Sequence, residues 1–297
     1  MQKRLGFPRG LSAPRSKASK RGRLLIASLL LPIAALPASA LPTIEVTSAT
    51  PADQPALWVL SDADTTIYLF GTFHALDERT DWFARNVRAA FDSSDELVLE
   101  TIIPSDPVEL LAMLHRHSLV QPMVAGTGTI GHGRTSFAAT AGQAMSASRS
   151  AGLTVERGAD AVLRRIANSQ GKPVDGLESF DYQLAMLAGL PVAAPPARAD
   201  AAASPPDTRH MLLDMRSAWK RGDSSRFASV LRSLEAQSPA TYQRMFVDRN
   251  SQWAQVIAER MERPGTVFVA VGAGHLIGRD SVQRKLERHG FNATRIN

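Results

Sequence analysis

The chain has 297 residues, enough for one large α/β domain or two smaller ones, and its 44% hydrophobic and 21% charged residues suit a globular protein. A net charge of +6 suggests nucleic acid, but eight of the 34 Lys and Arg lie in residues 1–40, which hold no Asp or Glu, and the other 26 face 28 acidic residues. That balance gives no general electrostatic reason to bind a phosphate backbone, so nucleic acid is excluded as the expected partner. The absence of cysteine excludes disulfides and restricts any metal to nitrogen and oxygen ligands.

The basic head leads into "LLIASLLLPIAALPASA" from Leu24, which ends in Ala38-Ser39-Ala40. A basic region, a short apolar run broken by Pro32 and an A-x-A site make a secretory signal. We expect cleavage after Ala40 and a periplasmic or secreted protein with no stable membrane span left. An uncleaved N-terminal anchor is the alternative; either way the folded part lies outside the cytoplasm. Residues 41–55 read as a tether and 56–297 as the folded domain.

"ALWVLSDADTTIYLFGTFH" reads as a hairpin, with Leu57–Leu60 and Thr66–Phe70 joined by "SDAD". In "RTDWFARNVRAAFDSSD", residues Trp82, Phe83, Val87, Ala90 and Phe91 fall at helical spacing, with Asp81 as N-cap. "ELVLE" is a strand ending in Glu100, and "PSDPVELLAMLHRHSL" a helix capped near Asp106. Residues 121–150 are rich in Gly, Ala, Ser and Thr without clear periodicity: a mobile loop or small helices. "GADAVLRRIANSQG" is a helix closed by Gly171, "KPVDGLES" a strand ending in Glu178, and "FDYQLAMLAGL" a helix. The Pro/Ala-rich stretch 192–207 reads as a linker. A helical block follows over about 208–263, then a strand Thr266–Val271, a helix "RDSVQRKLERHG" and a terminal strand "FNATRI". Short strands alternating with helices predict an α/β fold: a mainly parallel or mixed central sheet flanked by helices, with the helical block added to it.

Four polar residues share one placement. His74 follows "TIYLFGT", Glu100 follows "ELVL", Glu178 follows "PVDGL" and His275 follows "VFVAVGAG". Each lies at or just past the carboxyl end of an apolar strand, the edge where open parallel sheets bind ligands. Two imidazoles and one or two carboxylates make a sulfur-free shell for a divalent metal. Both histidines end a G-x-x-H turn, Gly71 to His74 and Gly272 to His275. The bland alternative for either is a strand-end histidine bonded to a backbone carbonyl; for Glu178 it is a helix cap or ion pair. Arg249, beside Asn250, sits on an amphipathic helix with Met245, Phe246, Trp253 and Val256 on its apolar side. It could stabilise oxyanion charge, or form an ordinary ion pair. The other five histidines lack a strand-end context. No G-x-S-x-G elbow, Walker A loop or H-E-x-x-H helix occurs, which removes serine-hydrolase, NTPase and zincin readings.

"ALWVLSDADTTIYLFGTFHALD", "ELVLE", "GADAVLRRIANSQGKPVDGLES", "WKRGD", "RNSQWAQVI" and "VFVAVGAGHLIG" stand in the order seen in TraB/GumN proteins. The chain resembles this family, which also contains the pheromone-shutdown proteins and the Tiki metalloproteases, over nearly all of 56–297. The resemblance implies an α/β fold with paired G-x-x-H motifs and a glutamate; in Tiki-like members these are proposed to hold a divalent metal for peptide hydrolysis. On it, His74 and His275 match the two histidines, Glu100 the glutamate after the second strand, and Glu178 that of the "GLE" motif. Residues 121–150 lack the "KPW"-like segment of GumN-like members, and 192–207 stand where a glutamine-containing helix often continues. Both departures bear on the substrate side.

The reading is an exported metal-dependent hydrolase acting on a peptide or protein substrate. His74, Glu100 and His275 are the expected ligands of a divalent ion, with Mn, Co and Zn not distinguished. Glu178 is the expected general base and Arg249 the oxyanion stabiliser. The rival is a non-catalytic protein that sequesters a peptide or metal in the same cleft.

Overall fold

A computed structural model describes residues 54–117, 119, 145–190 and 208–297. The expected signal, most of the tether, residues 121–144 and the linker 192–207 lie outside the described residues.

Strands β1 (Leu57–Ser61) and β2 (Thr65–Thr72) form the expected antiparallel hairpin, turned by Asp62, whose carboxylate accepts from the backbone N–H groups of Asp64 and Thr65. Strands β3 (Glu96–Leu99), β4 (Val174–Gly176), β5 (Gly265–Gly272) and the two-residue β6 (Thr294–Arg295) complete a six-stranded sheet in the order β4-β3-β5-β2-β1-β6. β4, β3, β5 and β2 are mutually parallel, while β1 runs antiparallel to β2 and to β6. The sheet is therefore mixed, with helices on both faces, which is the α/β class expected.

Alternation along β2 and β5 divides the core in two. Tyr68, Phe70, Phe268 and Ala270 face helices α1 (Arg85–Asp92) and α3 (Ala159–Ser169) through Val87, Phe91 and Leu163. Ile67, Leu69, Val267, Val269 and Val271 face α8 (Arg249–Arg260) and α9 (Val282–Leu286) through Trp253, Ile257, Val282 and Leu286. Strands covered on both faces need apolar side chains at nearly every position, and so the two runs read as continuous.

Helix α2 (Pro107–Arg116) starts as expected, with the Asp106 carboxylate accepting from Val108 N–H at 2.9 Å and Pro107 in the first turn. Helix α1 starts later than expected. Its N-cap is Ala84, not Asp81. Trp82 and Phe83 belong to the preceding loop, and Trp82 stacks on Phe70 with ring centroids 5.6 Å apart. Their spacing reflects burial in an aromatic cluster, not helical winding.

Further helices among the described residues are α4 (Phe180–Ala188) and the expected helical block: α5 (Thr208–Lys220), α6 (Ser225–Gln237), the short α7 (Pro239–Tyr242), a π-wound stretch Gln243–Asp248, and α8. The inward face of α8 differs from expectation. Val256 is exposed, whereas Arg249 and Asn250 are buried with Trp253, Ala254 and Ile257. Helical spacing back from Trp253 reaches Arg249 and Asn250, and these polar groups are tolerated inside because partners meet them there. Among the described residues no helix is long and apolar enough to cross a membrane.

Candidate functional site

The carboxyl ends of the four parallel strands lie along one edge. His74 stands two residues past β2, Glu100 one past β3, Glu178 two past β4, and His275 three past β5 in the 3₁₀ turn Ala273–Leu276. Helix α8 brings Arg249 to the same edge, where Arg249, Glu178, Glu100 and His275 form one network and His74 stands beside it, bonded to Asp160.

Arg249 is its centre. Its Nε donates to both oxygens of Glu178 at 3.1 and 3.0 Å, and Nη2 donates to Glu178 Oε1 at 2.7 Å and to Glu100 Oε2 at 2.8 Å. Its Nη1 donates to the Met245 carbonyl and lies 3.3 Å from His275 Nε2. The guanidinium packs over the Trp253 ring at 4.4 Å. Glu178 is saturated, because Trp253 Nε1 and Gln183 Nε2 also donate to it at 3.1 and 3.2 Å. Its side chain is 1% exposed. This carboxylate directs no free lone pair at the cleft, which favours a positioning role over proton transfer.

The tautomer of His275 follows from Asn250. The Asn250 amide nitrogen donates to the carbonyls of Asp280 at 2.7 Å and His275 at 3.4 Å, so its oxygen faces the ring. Nδ1 of His275 donates to that oxygen at 2.6 Å, leaving the Nε2 lone pair toward Arg249 and Glu100. Burial first, then Arg249 and His74 as positive neighbours, outweigh the pull of Glu100 and lower the ring to about 3. It is therefore neutral at ordinary pH. Trp253 and Phe246 hold it at centroid distances of 4.5 and 4.9 Å.

Glu100 is the counter-charge. Burial opposes its ionisation, but His275, Arg249, His74 and the Gly272 N–H, which donates to Oε1 at 2.6 Å, bring it down to about 2. His275 Nε2 lies 3.8 Å from the same Oε1.

His74 differs from its partner in being 59% exposed. The cleft around it still works against its charge, but Asp160, by charge and hydrogen bond, and then Glu100 raise it to about 9. Asp160 Oδ1 sits 3.1 Å from His74 Nδ1. The tie is built into the backbone: Ala159 N–H donates to the Phe73 carbonyl at 3.0 Å, and a Cβ at Gly158 would overlap the carbonyl oxygen of His74. No side chain other than glycine fits there without a backbone shift.

Gly272 makes a second close approach. A Cβ on it would lie 2.9 Å from His74 Nε2 and 3.0 Å from Glu100 Oε1. The two donor atoms thus converge over an empty Cβ position. Among the described residues, no three His, Asp or Glu side chains already stand in metal-ligand geometry. What converges is a pair over Gly272, with His275 next to it.

Three contributors escaped sequence reasoning. An acid in the first turn of a helix reads as a partner of the helix dipole, which hid Asp160, though "GAD" opening a helix was a signal. Trp253 and Gly272 passed as core and turn residues. A cleft of about 560 Å³ opens from His74, Glu100 and Asp160 along α3.

The profile of the TraB/PrgY/gumN family matches residues 56–127 and 134–295. Two curated proteins, "Uncharacterized protein YbaP" of Escherichia coli (strain K12) and of Shigella flexneri, are each 32% identical over 135 residues, 46% of this chain and 50% of theirs. The chain thus covers about half the length of these relatives. No solved structure matches. With the profile covering most of the sequence and the two G-x-x-H strands side by side in the sheet, the chain belongs to the TraB/PrgY/gumN family.

Proposed function

We propose that the protein is an exported, metal-dependent hydrolase of peptide bonds, in which His74, Glu100 and His275 hold a divalent ion. The observation that supports this reading best is the space over Gly272, where His74 Nε2 and Glu100 Oε1 face a missing Cβ and His275 Nε2 lies 3.8 Å from that oxygen. Two imidazole nitrogens and a carboxylate oxygen suit zinc, manganese or cobalt. Such an ion, when bound, polarises a carbonyl and acidifies water. Asp160 and Asn250 each engage the Nδ1 of one imidazole, which turns Nε2 of His74 toward Gly272 and Nε2 of His275 toward Arg249 Nη1 at 3.3 Å, a contact that an ion would replace. Arg249 fixes Glu100 beside His275, and Glu178 fixes Arg249. We assign that pair to positioning, in place of the base and oxyanion roles expected from the sequence. Export rests on the residues before Leu41.

Gly272→Ala tests the reading. Gly272 has φ −51° and ψ 134°, which any L-residue adopts, so an added methyl fills space without straining the backbone. The variant is expected to fold like the wild type and to bind zinc or manganese at least about tenfold more weakly by calorimetry, with loss of cleavage in a peptide library. Wild-type affinity in Gly272→Ala, or no binding by the wild type, overturns the metal site. Metal binding with no cleavage of any library peptide favours the sequestering rival.

A further inference from the structure

The walls of the cleft carry a charge pattern that the metal reading does not use. Asp160, Arg164 and Asn168 follow one another at four-residue spacing along the α3 wall, with Arg165 beside them. Arg164 donates from Nη1 to the Ile103 carbonyl at 2.7 Å and from Nη2 to Ser105 Oγ at 3.3 Å. Arg165 donates from Nη1 to the Glu156 carbonyl at 2.7 Å. Neutral acceptors hold both in place, and among the described residues no carboxylate is ion-paired with either.

The acids of the cleft are occupied. Glu100 is held by Arg249 and Gly272, and Asp160 by His74. Glu156 stands at the exposed rim, where the charges of Arg149 and Arg157 act on it.

We propose that this cleft takes a peptide carrying a carboxylate, which the positive charge of Arg164 and Arg165 on the α3 wall attracts. One helical turn separates Arg164 from Asp160, about 6 Å along the wall. An extended chain covers that in about two residues. The carboxylate therefore falls about two residues from the group lying at the His74–Glu100 corner. A free C-terminus and an Asp or Glu side chain share this chemistry. The inference rests on the cleft being the substrate face of the proposed hydrolase.

Three fluorescently labelled Leu-containing tripeptides decide it, read by anisotropy with the full chain. One has a free C-terminal carboxylate, one is amidated, and one is amidated with a terminal Glu. At least one carboxylate-bearing peptide is expected to bind about 10- to 100-fold more tightly than the neutral one, the range for hydrogen bonds to a charged group. Whichever binds best identifies the source of the carboxylate. Arg164→Gln/Arg165→Gln should remove the preference and leave the neutral peptide unchanged, while Arg164→Lys/Arg165→Lys should keep part of it. Equal binding of all three peptides overturns the inference, as does a preference that survives the Gln pair. If the Gln pair does not fold, the wild-type comparison still decides. The readout needs neither metal nor turnover. A charge preference without hydrolysis therefore counts against the enzyme alone, and hydrolysis without charge preference counts against the inference alone.

Discussion

Arg249 holds two carboxylates and an imidazole in a space that is almost dry. Its side chain and that of Glu178 are 4% and 1% exposed, and Glu100 is 13% exposed. Removing one partner from such a group leaves a buried charge without compensation, at a cost of about 3–5 kcal/mol. Glu178→Gln keeps shape and some hydrogen bonding but loses the charge opposite Nε. We expect it to lower the unfolding free energy by about 3 kcal/mol in a urea titration, in metal-free protein as much as in loaded protein. A variant as stable as the wild type that has lost only turnover would return Glu178 to the role of base.

Elements place these residues, and the elements differ in how legibly the sequence encodes them. β2 and β5 were plain because both faces are buried, which leaves an unbroken apolar run ending at a glycine. Strand ends gave His74, Glu100, Glu178 and His275 for the same reason. The start of α1 and the inward face of α8 were not legible. In both, hydrophobic spacing was read as helical phase, whereas Trp82 packs from a loop and the inner face of α8 carries a paired charge at Arg249. Asp160 needed the third dimension, since nothing local links the first turn of α3 to the end of β2. Gly158 makes that link, and it yields a prediction. Gly158→Ala drives a methyl into the His74 carbonyl, so the β2 end and α3 must separate. The expected cost is about 1–3 kcal/mol, typical of overpacking, with a weakened His74–Asp160 tie visible as a lower imidazole pKa by NMR titration. An unchanged His74 titration in a stably folded variant would show that the two elements do not depend on this approach.

At the scale of the whole molecule, charge separates the head from the body. Eight basic residues and no acidic ones precede Leu41, and the remainder is slightly acidic. N-terminal sequencing of protein recovered from the periplasm or medium is expected to begin at Leu41; a cytosolic product that keeps Met1 would remove export from the proposal.

The strand order carries a consequence of its own. β5, residues 265–272, lies between β2, residues 65–72, and β3, residues 96–99. Translation runs from the amino terminus, so of the four parallel strands one in the middle of the sheet is made last. Until it arrives, β2 and β3 each show an open edge, and pairing across so much chain is slow to form. A growing chain already holds His74 and both glutamates yet lacks the strand that aligns them. Until residues 265–272 are made, the carboxyl edge of the sheet lacks the strand that carries His275 to within 3.8 Å of Glu100 and the glycine over which His74 and Glu100 converge.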